Sequence, residues 1–209
     1  VSGDELPDVA VLILCAGNAA AWEGDQPVQL RKLPGGETVL ERIIRQVQGH
    51  GHEPIIITWR DDIKSSTPDL EHYEPARRRT IADTWLHTKE LWREQTVILL
   101  GDTVYGKQTI KETLAYRGTM KAIGNSAEIF AFTFSANEHD KLAEVLYEVN
   151  RDTEKGAPWL IYRRWIGVAY TNGKREAEVF RGVWDRTADI DSSNSWRGVC
   201  KFYDKEWRQ

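Results

Sequence analysis

An α/β fold is predicted for this chain: a wound, mostly parallel central sheet with helices on both faces and a smaller mixed C-terminal part. Three observations predict it. Residues 9–14 (VAVLIL), 53–59 (EPIIITW) and 96–100 (TVILL) are near-continuous apolar runs rich in β-branched side chains, the pattern of strands buried on both faces. The segments between the runs carry helical spacing, so the rhythm is strand, helix, strand, helix, strand. A chain of 209 residues with 41% hydrophobic content can also bury a substantial core, and it shows no repeat or low-complexity tract. One domain over 1–209 is expected.

The first strand runs into Leu14, Cys15, Ala16, Gly17 and Asn18, and the side chains stay small as far as Ala21. Backbone N–H groups in such a loop stay accessible to a phosphate or a base. Residues 37–48 then place Val39, Leu40, Ile43, Ile44 and Val47 at helical spacing, and Gly49-His50-Gly51 stops the helix. His50 and His52 have no cysteine or third histidine nearby and read as surface residues. Residues 61–79, with Pro68, Pro75 and many charges, read as a long irregular connection. A helical pattern follows over 81–93, with Ile81, Trp85, Leu91 and Trp92 on or near one face.

Past the third strand, a short helix is expected over 107–116, an alternating strand over 127–134 and an amphipathic helix over 136–149, with Leu142, Val145, Leu146 and Val149 inward. Residues 159–170 fit a strand or a helix. A strand over 177–184 leads to Asp189-Ile190-Asp191-Ser192-Ser193 and a terminal helix capped by Asp191 or a serine.

The net charge of −4 lacks the electrostatic footprint of a duplex nucleic-acid binder. The opening VSGDELPD is acidic where a signal peptide is basic, and the apolar run behind it is too short to span a bilayer, so a soluble, cytoplasmic protein with no membrane partner is expected. Cys15 and Cys200 form neither a zinc pattern nor a disulfide framework. The nine Trp are expected to fill the core.

Asp102 follows Gly101 at the carboxyl end of a central strand, where the loops of an α/β sheet gather. Asp189 and Asp191, two apart, share a face if extended. Carboxylates of this kind hold Mg²⁺ or Mn²⁺, usually one or two together with substrate phosphates. Each also has an ordinary reading, a Gly-Asp turn and a helix cap. Arg77-Arg78-Arg79 reads as a solvated run, although it precedes a helix start at Thr80–Asp83 that could face a nucleotide.

In order and separation these sites resemble the nucleotidyltransferase superfamily, whose sugar-phosphate and phosphocholine members share a glycosyltransferase-A-like fold. Leu14-Cys15-Ala16-Gly17, Pro27 and Val39-Leu40-Glu41-Arg42 stand where the family has its signature loop, its Pro-Lys and its Leu-Leu-x-Arg helix. Gly101-Asp102 and Asp189-Ile190-Asp191 are similar to its metal-site motifs, and Ala127–Ala131 to a strand of some members. The resemblance implies transfer of a nucleoside monophosphate from a nucleoside triphosphate to a phosphorylated small molecule, with a nucleotide-binding half near 9–103 and an acceptor half near 104–209. It implies that Asp102 and Asp191 share the metal with Asp189 in support, that Leu14 to Asn18 hold base and phosphates, and that Asp83 meets the base or ribose.

The signature loop is degenerate: the second family glycine becomes Ala19, the loop arginine Ala21 and the lysine after proline Val28. Arg31 and Lys32 are the nearest replacements for those cations in triphosphate contact. Two other readings stay open. A glycosyltransferase of the same fold would take a nucleotide-sugar donor, with Asp83, Glu128 or Asp185 as base in an inverting reaction. A catalytically silent nucleotide-binding protein would have kept the fold and lost the cations. Trp159, Tyr162, Trp165 and Arg163-Arg164 either line an acceptor pocket or form a packed layer.

Overall fold

The computed structural model describes residues 8–17, 26–171, 176 and 178–206, with side chains as far as Tyr203. Strand β1 (Val9–Leu14) is central and pairs in parallel with β2 (Pro54–Ile57) and β4 (Gln95–Leu100). With β3 (His72–Tyr73), β6 (Lys121–Gly124), β7 (Ile129–Ser135) and β8 (Phe180–Gly182) they form a seven-stranded sheet in the order β3-β2-β1-β4-β7-β6-β8. β7 pairs antiparallel with β4 and β6, while the other pairings are parallel. A separate two-stranded ribbon joins β5 (Thr103–Val104) to β9 (Ala188–Asp189).

Alternation along β1 explains the helices on both faces. Val11 and Ile13 pack with Val39, Leu40, Ile43 and Val47 of α1 (Val39–Gln48) and with Val199 and Tyr203 of α7 (Ser193–Glu206). Ala10, Leu12 and Leu14 point the other way, towards Trp85 of α3 (Ile81–Leu86), Leu142 and Leu146 of α5 (His139–Asp152) and Tyr162 of α6 (Pro158–Trp165). Leu12 is fully buried, and its truncation to Ala would cost about 2–5 kcal/mol. The start of α1 is fixed by a capping box in which Thr38 Oγ1 accepts from Glu41 N–H and Glu41 from Thr38 N–H.

Several elements differ from the sequence expectation. The connection 61–79 contains helix α2 (Asp61–Ser66), anchored by fully buried Ile63, and the edge strand β3. The 81–93 helix ends at Leu86: Thr88 Oγ1 donates to Trp85 O, Trp92 Nε1 donates to Thr88 Oγ1, and the chain tightens into a 3₁₀ turn at Lys89–Leu91. The open segment 159–170 is helical at first, with Pro158 in its first turn, and α6 gives way at Gly167, where φ is +71°. Helix α4 (Lys107–Ala115) lies where expected. Both cysteines are free. Trp85, Trp92 and Trp165 are core residues, whereas Trp184 is 96% exposed.

Candidate active site

A cleft of about 300 Å³ opens where β1 and β4 end side by side, with Leu14, Ala16, Gly17, Leu100 and Asp102 in its wall. The loop after β1 is pinned on its β2 side. Cys15 N–H donates to Ile57 O (2.8 Å), Thr58 Oγ1 to Cys15 O (3.4 Å) and Trp59 Nε1 to Ala16 O (3.1 Å). Among the described residues, a Cβ at Gly17 would meet nothing within 4 Å. Asn18, assigned to the nucleotide from the sequence, lies outside the described residues.

Gly101 closes the other side for a steric reason. A Cβ there would lie 2.4 Å from Cys15 Sγ and 2.8 Å from Leu14 O, so a side chain would force apart the two strand ends that frame the cleft. Burial, with the nearby charge of Asp102, pushes the Cys15 thiol far above its ordinary range. That makes it a packing residue with no nucleophilic character.

Asp102 sits between Gly101 and β5, and Ile190 N–H donates to its carbonyl at 3.0 Å. The ribbon pairs Thr103 with Asp189, so the two acidic stretches meet although they are far apart in sequence. Burial and the charges of Glu128 and Asp191 raise the Asp102 carboxyl to about 6. Burial and the charges of Asp102, Glu128 and Asp191 raise Asp189 to about 8, and Glu128 is also raised, by burial and by Asp191. Asp189 Oδ1 is buried with no hydrogen-bond partner among the described residues. A charge left in that state is costly unless it is neutralised.

The helix-cap reading does not account for Asp191. Ser192 caps α7, its Oγ accepting Ser195 N–H at 3.2 Å, and Asp191 Oδ1 accepts only the Ser195 hydroxyl, at 3.0 Å, among the described bonds. Among the described residues no three His, Cys, Asp or Glu side chains are already gathered around one point that would hold a metal ion. The donor set is nevertheless of the right chemistry for a hard divalent cation: oxygen donors only, mutually repelling, with one orphaned oxygen.

Among the described residues, the cations in the cleft wall are Arg78, Arg79 and Lys155. Arg78 lies over the Trp59 ring, 4.7 Å from its centroid, and Arg79 Nη2 donates to Asn150 O at 2.9 Å. Lys155 arrives because the α5–α6 connection packs on the start of α3. Ala82 N–H donates to Gly156 O (3.2 Å), and Gly156, at φ +52°, lies so close to Thr80 that a Cβ would meet its Oγ1 at 2.3 Å. Arg31 and Lys32 are not among the described residues that line it. Their segment is held against the start of α1, Arg31 O accepting Val39 N–H and Lys32 bridging to Thr38, while Gln29 from the preceding 3₁₀ turn reaches the cleft.

Asp83 is buried, and its Oδ2 accepts Arg79 N–H at 3.2 Å while its own N–H donates to Thr80 Oγ1, a cap on α3. It lines a neighbouring cavity and not the cleft that holds Asp102. Asp185 accepts from the backbone and hydroxyl of both Thr109 and Thr187. Burial works to raise its pKa, but those four bonds together hold it below the usual carboxylate range, which makes it a poor general base. Tyr162 and Trp165 are buried and Trp159 stacks on Phe180 at 5.5 Å, so the aromatic segment is a packed layer.

The same arrangement of sheet and helices recurs in solved structures. The CTP:phosphocholine cytidylyltransferase of Streptococcus pneumoniae matches with a TM-score of 0.64 at 13% identity, over 93% of this chain and 99% of that one. The chain has a nucleotidyltransferase-like fold. The inositol-1-phosphate CTP transferase of T. maritima shares this fold with a TM-score of 0.65 at 12% identity, over 92% of this chain and 94% of the other. No protein-family model matches the chain, and no curated protein is similar to it in sequence. The nucleotidyltransferase-like fold therefore rests on backbone geometry. Among the described residues, no helix is long and apolar enough to cross a membrane.

Proposed function

We propose that this protein is a metal-dependent nucleotidyltransferase that moves a nucleoside monophosphate from a nucleoside triphosphate to a phosphorylated small molecule, releasing pyrophosphate. A cytoplasmic location belongs to the same proposal. The observation that carries it is the meeting of Asp102 with Asp189 and Asp191 at the edge of a cleft whose other walls are a small-residue loop and three cations.

In this reading an oxygen of the acceptor phosphate attacks the α-phosphorus, the bond from that phosphorus to the bridging oxygen of the β-phosphate breaks, and the electron pair leaves with pyrophosphate. Asp102 and Asp191 would hold Mg²⁺ or Mn²⁺, with Asp189 beside them. A bound divalent ion supplies Lewis-acid neutralisation of phosphate charge. The backbone from Leu14 to Gly17 receives the nucleotide. Arg78, Arg79 and Lys155 stabilise the charge that gathers on the leaving pyrophosphate, the task of the family cations that Ala21 and Val28 lack. An inverting glycosyltransferase is the weaker reading, because Asp83 and Asp185 are engaged in structural bonds, which leaves Glu128 of its candidate bases.

The test is product analysis. Incubation with each nucleoside triphosphate, Mg²⁺ and a panel of sugar phosphates and phosphocholine should release pyrophosphate with at least one pair. Release of nucleoside diphosphate from nucleotide sugars, or binding without turnover, would replace this reading with one of the other two.

A further inference from the structure

Beside the cleft, and sharing Arg78 and Arg79 with it, lies a larger concavity of about 560 Å³. Its wall also carries Arg77, Arg151, Tyr147 and Asn150. Four guanidinium groups around one concavity, in a chain of net charge −4, is a local concentration that the bulk composition conceals.

The groups that balance those charges are weak competitors. Arg78 pairs with Glu74 at 3.6 Å and Arg151 with Asp152 at 2.8 Å, both pairs among partly exposed side chains, where such contacts contribute little. Arg77 makes no ion pair among the described residues. The carboxylate of Asp83, in the same wall, is turned to the Arg79 N–H in the cap of α3. Asn150 Oδ1 accepts the Thr80 hydroxyl at 2.7 Å, while its Nδ2 is buried without a partner among the described residues. Donors therefore far outnumber acceptors here, and Arg guanidinium groups fit phosphate oxygens in paired hydrogen bonds.

We propose that this concavity is a second anion site, which takes the diphosphate group of a small phosphorylated molecule. Its size is that of a small-ligand pocket. Four guanidinium groups suit several clustered negative charges better than the one or two of a single phosphate. Arg78 and Arg79 also line the cleft, so the inference is separated from the reaction proposed there by Arg77 and Arg151, which line the concavity alone.

The test is calorimetric titration of the full chain with inorganic pyrophosphate in the presence of a chelator, so that no divalent ion contributes. Arg77 and Arg151 are exposed, and the variant Arg77→Ala/Arg151→Ala should remain folded by circular dichroism. It should bind pyrophosphate about tenfold more weakly than the parent, a larger loss than Lys155→Ala causes from the cleft side. Orthophosphate should bind the parent more weakly than pyrophosphate. The inference is overturned if the double variant binds like the parent, if the loss falls on Lys155→Ala alone, or if orthophosphate matches pyrophosphate.

Discussion

The backbone N–H of Ile190 donates to the carbonyl of Asp102 at 3.0 Å, and this bond ties the end of β4 to the segment ahead of the last helix. It sets the carboxylates of Asp102, Asp189 and Asp191 within each other's electrostatic reach. Asp102→Asn and Asp191→Asn, which keep shape and remove charge, should each lower pyrophosphate release by on the order of 10² or more. The backbone bond is retained, so melting temperatures should stay at or above that of the parent. A variant that is stable and fully active would remove its residue from the site.

The same crowding makes stability depend on pH in a defined direction. Asp102 and Asp189 hold their protons to about 6 and about 8 in the folded chain, against about 3.9 when unfolded. Between those limits the folded state binds more protons than the unfolded state, so stability falls as pH rises through that window. Without divalent ions the melting temperature should be lower at pH 8 than at pH 5, and Asp189→Asn should reduce the difference. An unchanged pH profile in that variant would show that Asp189 does not carry the effect.

Gly101→Ala tests the closeness of the two strand ends. The added methyl would overlap Cys15 Sγ at 2.4 Å and Leu14 O at 2.8 Å, and such overpacking costs about 1–3 kcal/mol. Cys15→Ala in the same chain should recover part of the loss, because one of the two contacts disappears. Strictly additive effects in denaturant unfolding would contradict a direct contact.

Asp185 is assigned a structural role at the start of α4. Its carboxyl is held low by the bonds from Thr109 and Thr187, so its contribution is fully present above the unfolded aspartate value and is lost as pH falls through the lower folded value. Asp185→Ala should cost about 1–3 kcal/mol at neutral pH by leaving those donors unsatisfied. Once corrected for the folded fraction, turnover should be unchanged. A large loss of turnover in fully folded protein would instead give Asp185 a chemical role.

Lys155→Ala should reduce pyrophosphate release about tenfold or more, while Arg31→Ala and Lys32→Ala should leave it near the parent rate. The opposite ranking would return the triphosphate contacts to the segment after the signature loop.

These contrasts mark what could be read from the chain alone. Strands β1 and β4, the Gly101-Asp102 corner and the Asp189–Asp191 stretch are local patterns, visible as apolar runs and short motifs. The pairing of β5 with β9 was not visible, since each strand has two residues. Strand β6 is a four-residue KAIG run with too little alternation to stand out. The aromatic-rich α6 is only eight residues long, too short for its spacing alone to separate helix from strand; Pro158 starts it, and it packs with α5 and Phe180. Lys155 carried no local signal at all. It reaches the cleft through Gly156 lying against Thr80, a long-range contact.

The most direct test of the central claim is Mn²⁺ binding measured by electron paramagnetic resonance in the presence of a nucleoside triphosphate, on the parent, Asp102→Ala and Asp191→Ala. Saturable binding is expected in the parent, with protein-bound Mn²⁺ weakened by on the order of tenfold or more in either variant. Binding that is the same in all three proteins would contradict a metal held jointly by these two aspartates.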